Sequence, residues 1–153
     1  MEKKYDSYCG LYCGACAILL SNEKGEIEND AKSWNMNVED VRCFGCKSKI
    51  NAIYCRDCEF KTCCESKKIN FCFQCNEYPC SKLLDFKNDK YSHHSVVLKN
   101  LESIHQKGLV KWLKDQEKRW KCASCGTRFT WYDKLCEKCG EKLFNCEAEE
   151  KEL

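Results

Sequence analysis

One stretch of the chain has a strong helical rhythm of apolar positions. Val97, Leu101 and Ile104 stand three and four residues apart, Gly108 interrupts, and Leu109, Trp112, Leu113, Gln116 and Trp120 resume the period. This spacing predicts two consecutive helices, or one kinked helix, over residues 95–119, with Leu101, Ile104, Leu109, Trp112 and Leu113 buried as one stripe. A weaker repeat of Ile27, Ala31, Trp34, Val38 and Val41 predicts a further helix over 27–41. Residues 43–80 keep no sustained period. Their glycine and many polar residues predict knuckles, short strand pairs and single helical turns. The run Arg128-Phe129-Thr130-Trp131-Tyr132 has the aromatic and β-branched make-up of a short strand. Together these elements predict a small α+β fold.

The pattern leaves too little apolar mass for an ordinary core. Leu, Ile, Val and Phe number 30 of 153 residues, a level at which chains struggle to bury enough surface. Seventeen cysteines are the obvious substitute, as disulfides or as metal ligands. The opening MEKKYDSYCGLYCGAC holds no apolar run of signal-peptide length, and Ala15–Leu20 is far too short to span a bilayer, so the expected location is cytoplasmic, without a membrane partner. A reducing compartment disfavours structural disulfides, and CxxC pairs at 43/46, 55/58, 72/75, 122/125 and 136/139 suit metal. Metal also revises the charge. The formal net charge of +2 assumes neutral thiols. Sixteen thiolates around four Zn2+ would bring it to about −6, which argues against a general nucleic-acid footprint. Nucleic acid is thus a weak expectation and another protein the expected partner.

The C-terminal pattern is the most specific. Cys122 and Cys125 form one CxxC, Cys136 and Cys139 a second, and each is followed by glycine in CASCGTRFTWYDKLCEKCG. Each CxxCG reads as a knuckle whose backbone N–H groups face the sulfurs, with Gly126 and Gly140 taking the positive φ of the turn. Four cysteines fill a tetrahedral zinc shell and leave no open position, so the expected site is a structural zinc ribbon rather than a catalytic centre.

The other candidate ligands are Cys9, Cys13, Cys16, Cys43, Cys46, Cys55, Cys58, Cys63, Cys72, Cys75 and Cys80, with Cys64 beside them. These twelve divide into three sets of four, and which half-site closes with which is left open by sequence. The spacing CxxxCxxC at 9, 13 and 16 also matches radical enzymes with an open 4Fe-4S cluster. Those need a barrel of strand–helix repeats, which this chain does not encode. A 4Fe-4S electron-transfer cluster in the N-terminal module is the stronger alternative, because thiolates serve iron–sulfur clusters and zinc alike. His93, His94 and His105 are read as loop and helix-face residues rather than as ligands or bases.

The segments CGLYCGACAILL, CFGC, YCRDCEFKTC and FCFQCNEYPC together resemble the cysteine-rich family designated domain of unknown function 3795, over residues 5 to about 84. The run HSVVLKNLESIHQKGLVKWLKDQEKRW with the ribbon after it is similar to a longer form of that family. Cys64 and Cys146 look like additions to its pattern. The implied organisation is an irregular cysteine-rich module at 1–84, a helical linker at 85–120, a zinc ribbon at 121–146 and an acidic tail at 147–153. The expected function is a zinc-binding interaction module with three to four structural ions and no assigned catalysis. An iron–sulfur protein and a metal-storage protein are the alternatives.

Overall fold

The computed structural model describes residues 4–153. Half of the chain is helical, and among the described residues there is no sheet, only two isolated bridges, Lys121 with Arg128 and Leu135 with Lys142. The expected α+β fold is therefore corrected to a helical one. The physical reason lies in the ribbon. The Phe129 N–H bonds the Trp120 carbonyl at 3.1 Å, but the next donors are diverted: Thr130 N–H to the Asp133 carboxylate at 2.7 Å, Trp131 N–H to the Ala15 carbonyl at 3.0 Å. With these two donors diverted the pairing stops at Phe129, and residues 128–132 form a bridge and a turn instead of a strand.

Helix α1 (Ala17–Lys24) grows out of the third cysteine and closes through Gly25 and Glu26, whose N–H groups bond the Asn22 and Ser21 carbonyls. The helix expected over 27–41 is split into α2 (Ile27–Ser33) and α3 (Val38–Val41). Asn35, at φ 57°, and Met36 turn back to bond the Lys32 and Ala31 carbonyls, which ends α2. Ile27, Ala31 and Val41 form a small core of their own, whereas Trp34 is exposed.

The middle of the chain is more regular than its composition suggests. A short α4 (Ile53–Arg56) precedes α5 (Glu59–Lys67), a nine-residue helix. Its buried face is Phe60 and Cys64, so half of the apolar pattern is carried by a cysteine acting as a small hydrophobe. After a turn at Cys72–Gln74, α6 (Ser81–Lys87) buries Leu83. Helices α7 (Val97–Lys107) and α8 (Leu109–Arg119) then pack as a hairpin with its break at Gly108, as the spacing predicts. Leu101, Ile104 and Trp112 are buried, and Leu109 and Leu113 are half-buried against them. The tail begins with a short helix, α9 (Cys146–Glu150), whose Asn145 side chain caps Ala148 N–H at 3.1 Å.

The main core joins four parts of the chain: Cys9, Tyr12 and Ala15 from the start, Phe60 and Phe71 from the middle, Leu101 and Trp112 from the hairpin, Phe129 and Leu143 from the ribbon. Gly10 is what lets the N-terminal turn reach α7. Its φ is 93°, and a Cβ there would meet the Val97 carbonyl and the Leu101 side chain. Next to it, buried Asn100 donates to the Gly10 carbonyl at 2.8 Å. No helix among the described residues is long and apolar enough to cross a membrane.

Candidate metal centres

In the ribbon, Gly126 and Gly140 hold φ of 75° and 76°, and their N–H groups bond the Cys122 and Cys136 carbonyls at 2.8 and 2.9 Å. Each knuckle is closed by a second bond, Cys122 N–H to Thr127 and Cys136 N–H to Glu141, both at 2.8 Å. These turns point all four sulfurs inward. The sulfurs lie within 4.8 Å of one another, with Cys122 to Cys139 at 3.6 Å and Cys125 to Cys136 at 3.5 Å. A tetrahedral ion with sulfur bonds of about 2.3 Å needs sulfurs about 3.8 Å apart, so the donor set fits one such ion. The Thr127 hydroxyl brings the Cys125 thiol down to about 6, and the Cys139 and Lys138 N–H groups lower Cys136. Thiolate, the ligating form, is thus favoured at two of the four.

Arg128 and Trp131 tie the ribbon to the N-terminal module. Arg128 donates to Glu23 Oε2 at 2.6 Å and to the Gly14 carbonyl at 2.8 Å, and Trp131 N–H takes the Ala15 carbonyl. Tyr5 Oη donates to the other Glu23 oxygen at 2.6 Å. The base of the first cysteine loop is therefore pinned by ribbon residues.

The N-terminal cysteines form a looser group. Among the described residues, three or more ligand atoms lie mutually within 4.8 Å only in the ribbon. Long-range backbone bonds bring three of the cysteine segments together: Lys4 N–H bonds the Phe44 carbonyl, Cys13 N–H that of Tyr5, and Cys72 N–H that of Tyr8. Burial, then the neighbouring thiols, pushes several of them up. Cys9 rises to about 11, with Cys58 as its thiol neighbour. Cys46 rises to about 12 beside Cys9 and Cys58, and Cys55 to about 12 beside Cys43, Cys16, Cys46 and Cys58. Cys13 is raised near Cys46, Cys16 and Cys55, and Cys16 near Cys43. Backbone hydrogen bonding opposes the rise at Cys9, Cys13, Cys16 and Cys46, and Gly45 N–H donates to Cys43 Sγ at 3.4 Å. Buried thiols of this kind stay protonated unless a cation lies among them, which inverts the local charge balance.

Further along, Cys63, Cys64, Cys72, Cys75 and Cys80 line a cavity of about 500 Å3 between α5 and the 72–80 loop. Cys64 and Cys72 are 3.8 Å apart at sulfur, and Lys67 Nζ donates to Cys75 at 3.1 Å. Cys64 is buried while its neighbour Cys63 is exposed. No sequence signal separated the two, because both precede the same loop; the helical phase of α5 decides it.

The remaining candidates serve packing. His93 stacks on Trp131 at 4.1 Å and bonds Tyr132 Oη at 2.8 Å, and burial takes its pKa down to about 3. His94 stacks on Phe86 and bonds Asp89, and His105 stacks on Phe73. Cys146 is 2 % exposed and sits in the core beside Tyr132, outside the ribbon quartet. Cysteine clusters able to bind metal are thus a property of this chain.

No curated protein and no solved structure matches the chain. A family described as protein of unknown function (DUF3795) matches residues 5–85, more than half of the sequence, and covers all of the N-terminal thiols. The cysteine-rich module, with a four-cysteine ribbon after it, belongs to the DUF3795 family.

Proposed function

We propose that this chain is a metal-dependent interaction module, with a structural zinc ion in the ribbon and further thiolate-bound metal in the N-terminal part. The observation that carries the reading is the convergence of Cys122, Cys125, Cys136 and Cys139, four sulfurs at the spacing one tetrahedral ion requires. Zinc suits a closed set of four thiolates with no open position. The role is structural because the ribbon has almost no regular backbone pairing to hold it. Coordination is worth on the order of 10 kcal/mol per site and would supply what the short ladder lacks. Through Arg128 and Trp131 the same ion would stiffen the base of the first cysteine loop. A partner protein would meet the groove between α8 and the Tyr5–Phe71 edge, where Val110 is exposed.

A chelator titration under reducing conditions tests the structural role, read by circular dichroism, thiol alkylation and zinc content. We expect one zinc per chain to leave together with alkylation of the four ribbon thiols and loss of ellipticity. Zinc release with an unchanged spectrum and protected thiols would make the metal cargo rather than scaffold.

A further inference from the structure

Helix α8 has two faces. Leu109, Trp112 and Leu113 pack toward the core. Val110, Lys114 and Glu117 stand four and three residues apart on the adjoining face, and all three line a groove of about 690 Å3. Val110 is 68 % exposed, so the fold itself makes little use of its apolar side chain. Leu109, Leu113, Tyr12 and Phe71 add further apolar surface to the same groove. A concavity of this volume, mostly apolar with a few charges around it, is of the size and make-up that holds ligand groups.

The charges around this surface are unevenly matched. Lys47 meets Asp6 at 2.8 Å, Arg128 meets Glu23 at 2.6 Å, and Glu117 meets Lys121 at 3.1 Å. Lys4 and Lys114 also line the groove, and among the described residues neither has a carboxylate within ion-pair distance. Two uncompensated positive charges thus stand beside apolar surface, and the complementary occupant combines carboxylates with apolar side chains. Asp6 favours a peptide as the carrier of those groups. One of its oxygens accepts Lys47, which leaves the other for the N–H donors that a peptide backbone supplies and a nucleic-acid backbone lacks. The rings argue the same way. Phe71 is stacked on Phe73 and covered by Lys47 Nζ at 3.8 Å, and Tyr12, 4 % exposed, meets Tyr5 and Trp112 edge-on. Neither offers an open face on which a base would stack.

We propose that this groove docks a short acidic segment of a partner protein, with carboxylates on Lys4 and Lys114 and a leucine- or phenylalanine-like side chain against Leu109, Val110 and Leu113. This rests on the reading of the groove as a protein-docking surface and adds the chemistry of the partner. Arg128 lines the groove and also holds Glu23 and the Gly14 carbonyl, so the docked segment lies over the joint between ribbon and N-terminal module.

The test presents the full, metal-loaded chain to a phage-displayed library of random short peptides, and the enriched consensus is resynthesised with a fluorophore for anisotropy titration. The expected consensus combines Asp or Glu with Leu, Ile or Phe. Lys4→Glu together with Lys114→Glu should weaken its binding about tenfold or more, and Val110→Asp about tenfold. Lys118→Glu, an exposed change on α8 outside the groove, should weaken it less than about twofold. Added salt should weaken binding, as should replacing the acids of the peptide by Asn and Gln. Those two measurements use the unaltered protein and decide the matter even where a substitution disturbs the fold. A consensus without acids, lost with Val110→Asp and indifferent to the lysine changes, overturns the acidic partner and leaves the groove as a docking surface. Binding that none of the groove changes alters overturns both. No enriched consensus overturns a short segment as the occupant. A labelled single-stranded oligonucleotide whose binding falls with the lysine changes, while no peptide binds, puts nucleic acid in its place. Zinc is counted in every variant, so that loss of docking is told apart from loss of metal, and the chelator titration decides the structural role of the ion separately.

Discussion

Replacing Arg128 by alanine removes the principal polar tie between ribbon and N-terminal module. The guanidinium makes two hydrogen bonds, to Glu23 at 2.6 Å and to the Gly14 carbonyl at 2.8 Å. The Glu23 side chain is 8 % exposed, so in the variant its carboxylate keeps only the Tyr5 hydroxyl as a donor. Hydrogen bonds to charged groups are worth about 1.5–3 kcal/mol each. The arginine side chain is 30 % exposed, so water replaces part of the loss, and the net cost should be about 2–3 kcal/mol. For a chain of this size that corresponds to a fall in melting temperature of about 4–12 °C. The assay is thermal unfolding of the metal-loaded protein, run as a double-mutant cycle with Glu23→Gln and with zinc content checked in every variant. The pair should couple by about 1–2 kcal/mol. A loss below about 0.5 kcal/mol, or strict additivity of the two changes, would refute the idea that this contact holds the halves together.

Leu101→Ala should destabilise the protein by about 2–5 kcal/mol, because the side chain is fully buried at the centre of the shared core and leaves a cavity. Equilibrium denaturation measures it, and a cost below about 1 kcal/mol would place Leu101 outside that core. His93 provides a pH test. Its folded pKa, lowered to about 3 by burial, lies below the unfolded value of about 6.5, so its contribution is full above pH 6.5 and is lost as pH falls toward 3. His93→Phe, which can keep the stack on Trp131, should flatten the part of the acid loss between pH 6.5 and 5 relative to the parent protein. Parallel stability curves for the two would show that His93 does not titrate with unfolding. Gly10→Ala should impair folding more than Gly25→Ala. A Cβ at Gly10 meets α7, whereas at Gly25 it meets open space. Expression and melting temperature compare the two, and equal effects would refute the close approach.

Local chemistry made much of this protein legible in its sequence. The α7–α8 hairpin and its break at Gly108 follow from a period that any chain reader can count, and burial of Leu101, Ile104 and Trp112 follows from the same period. The ribbon quartet is fixed within 18 residues by two CxxCG turns, whose geometry depends on nothing distant. Where partners come from far along the chain, sequence stops. The diversion of Thr130 and Trp131 N–H groups to Asp133 and Ala15 cancelled the expected strand, and only the packed structure supplies Ala15 as an acceptor. Helix α5 was hidden because a buried cysteine, Cys64, occupies half of its apolar face and cysteine reads first as a ligand. Its phase then set Cys64 inside and Cys63 outside, a distinction that adjacent identical residues cannot carry in one dimension. The sequence determined how many thiols there are and which of them pair locally. Which thiols from residues 9 to 80 share a neighbourhood was decided by long-range backbone bonds such as Cys72 to Tyr8 and Lys4 to Phe44, because every cysteine offers the same sulfur and only the tertiary fold gives each one a different position.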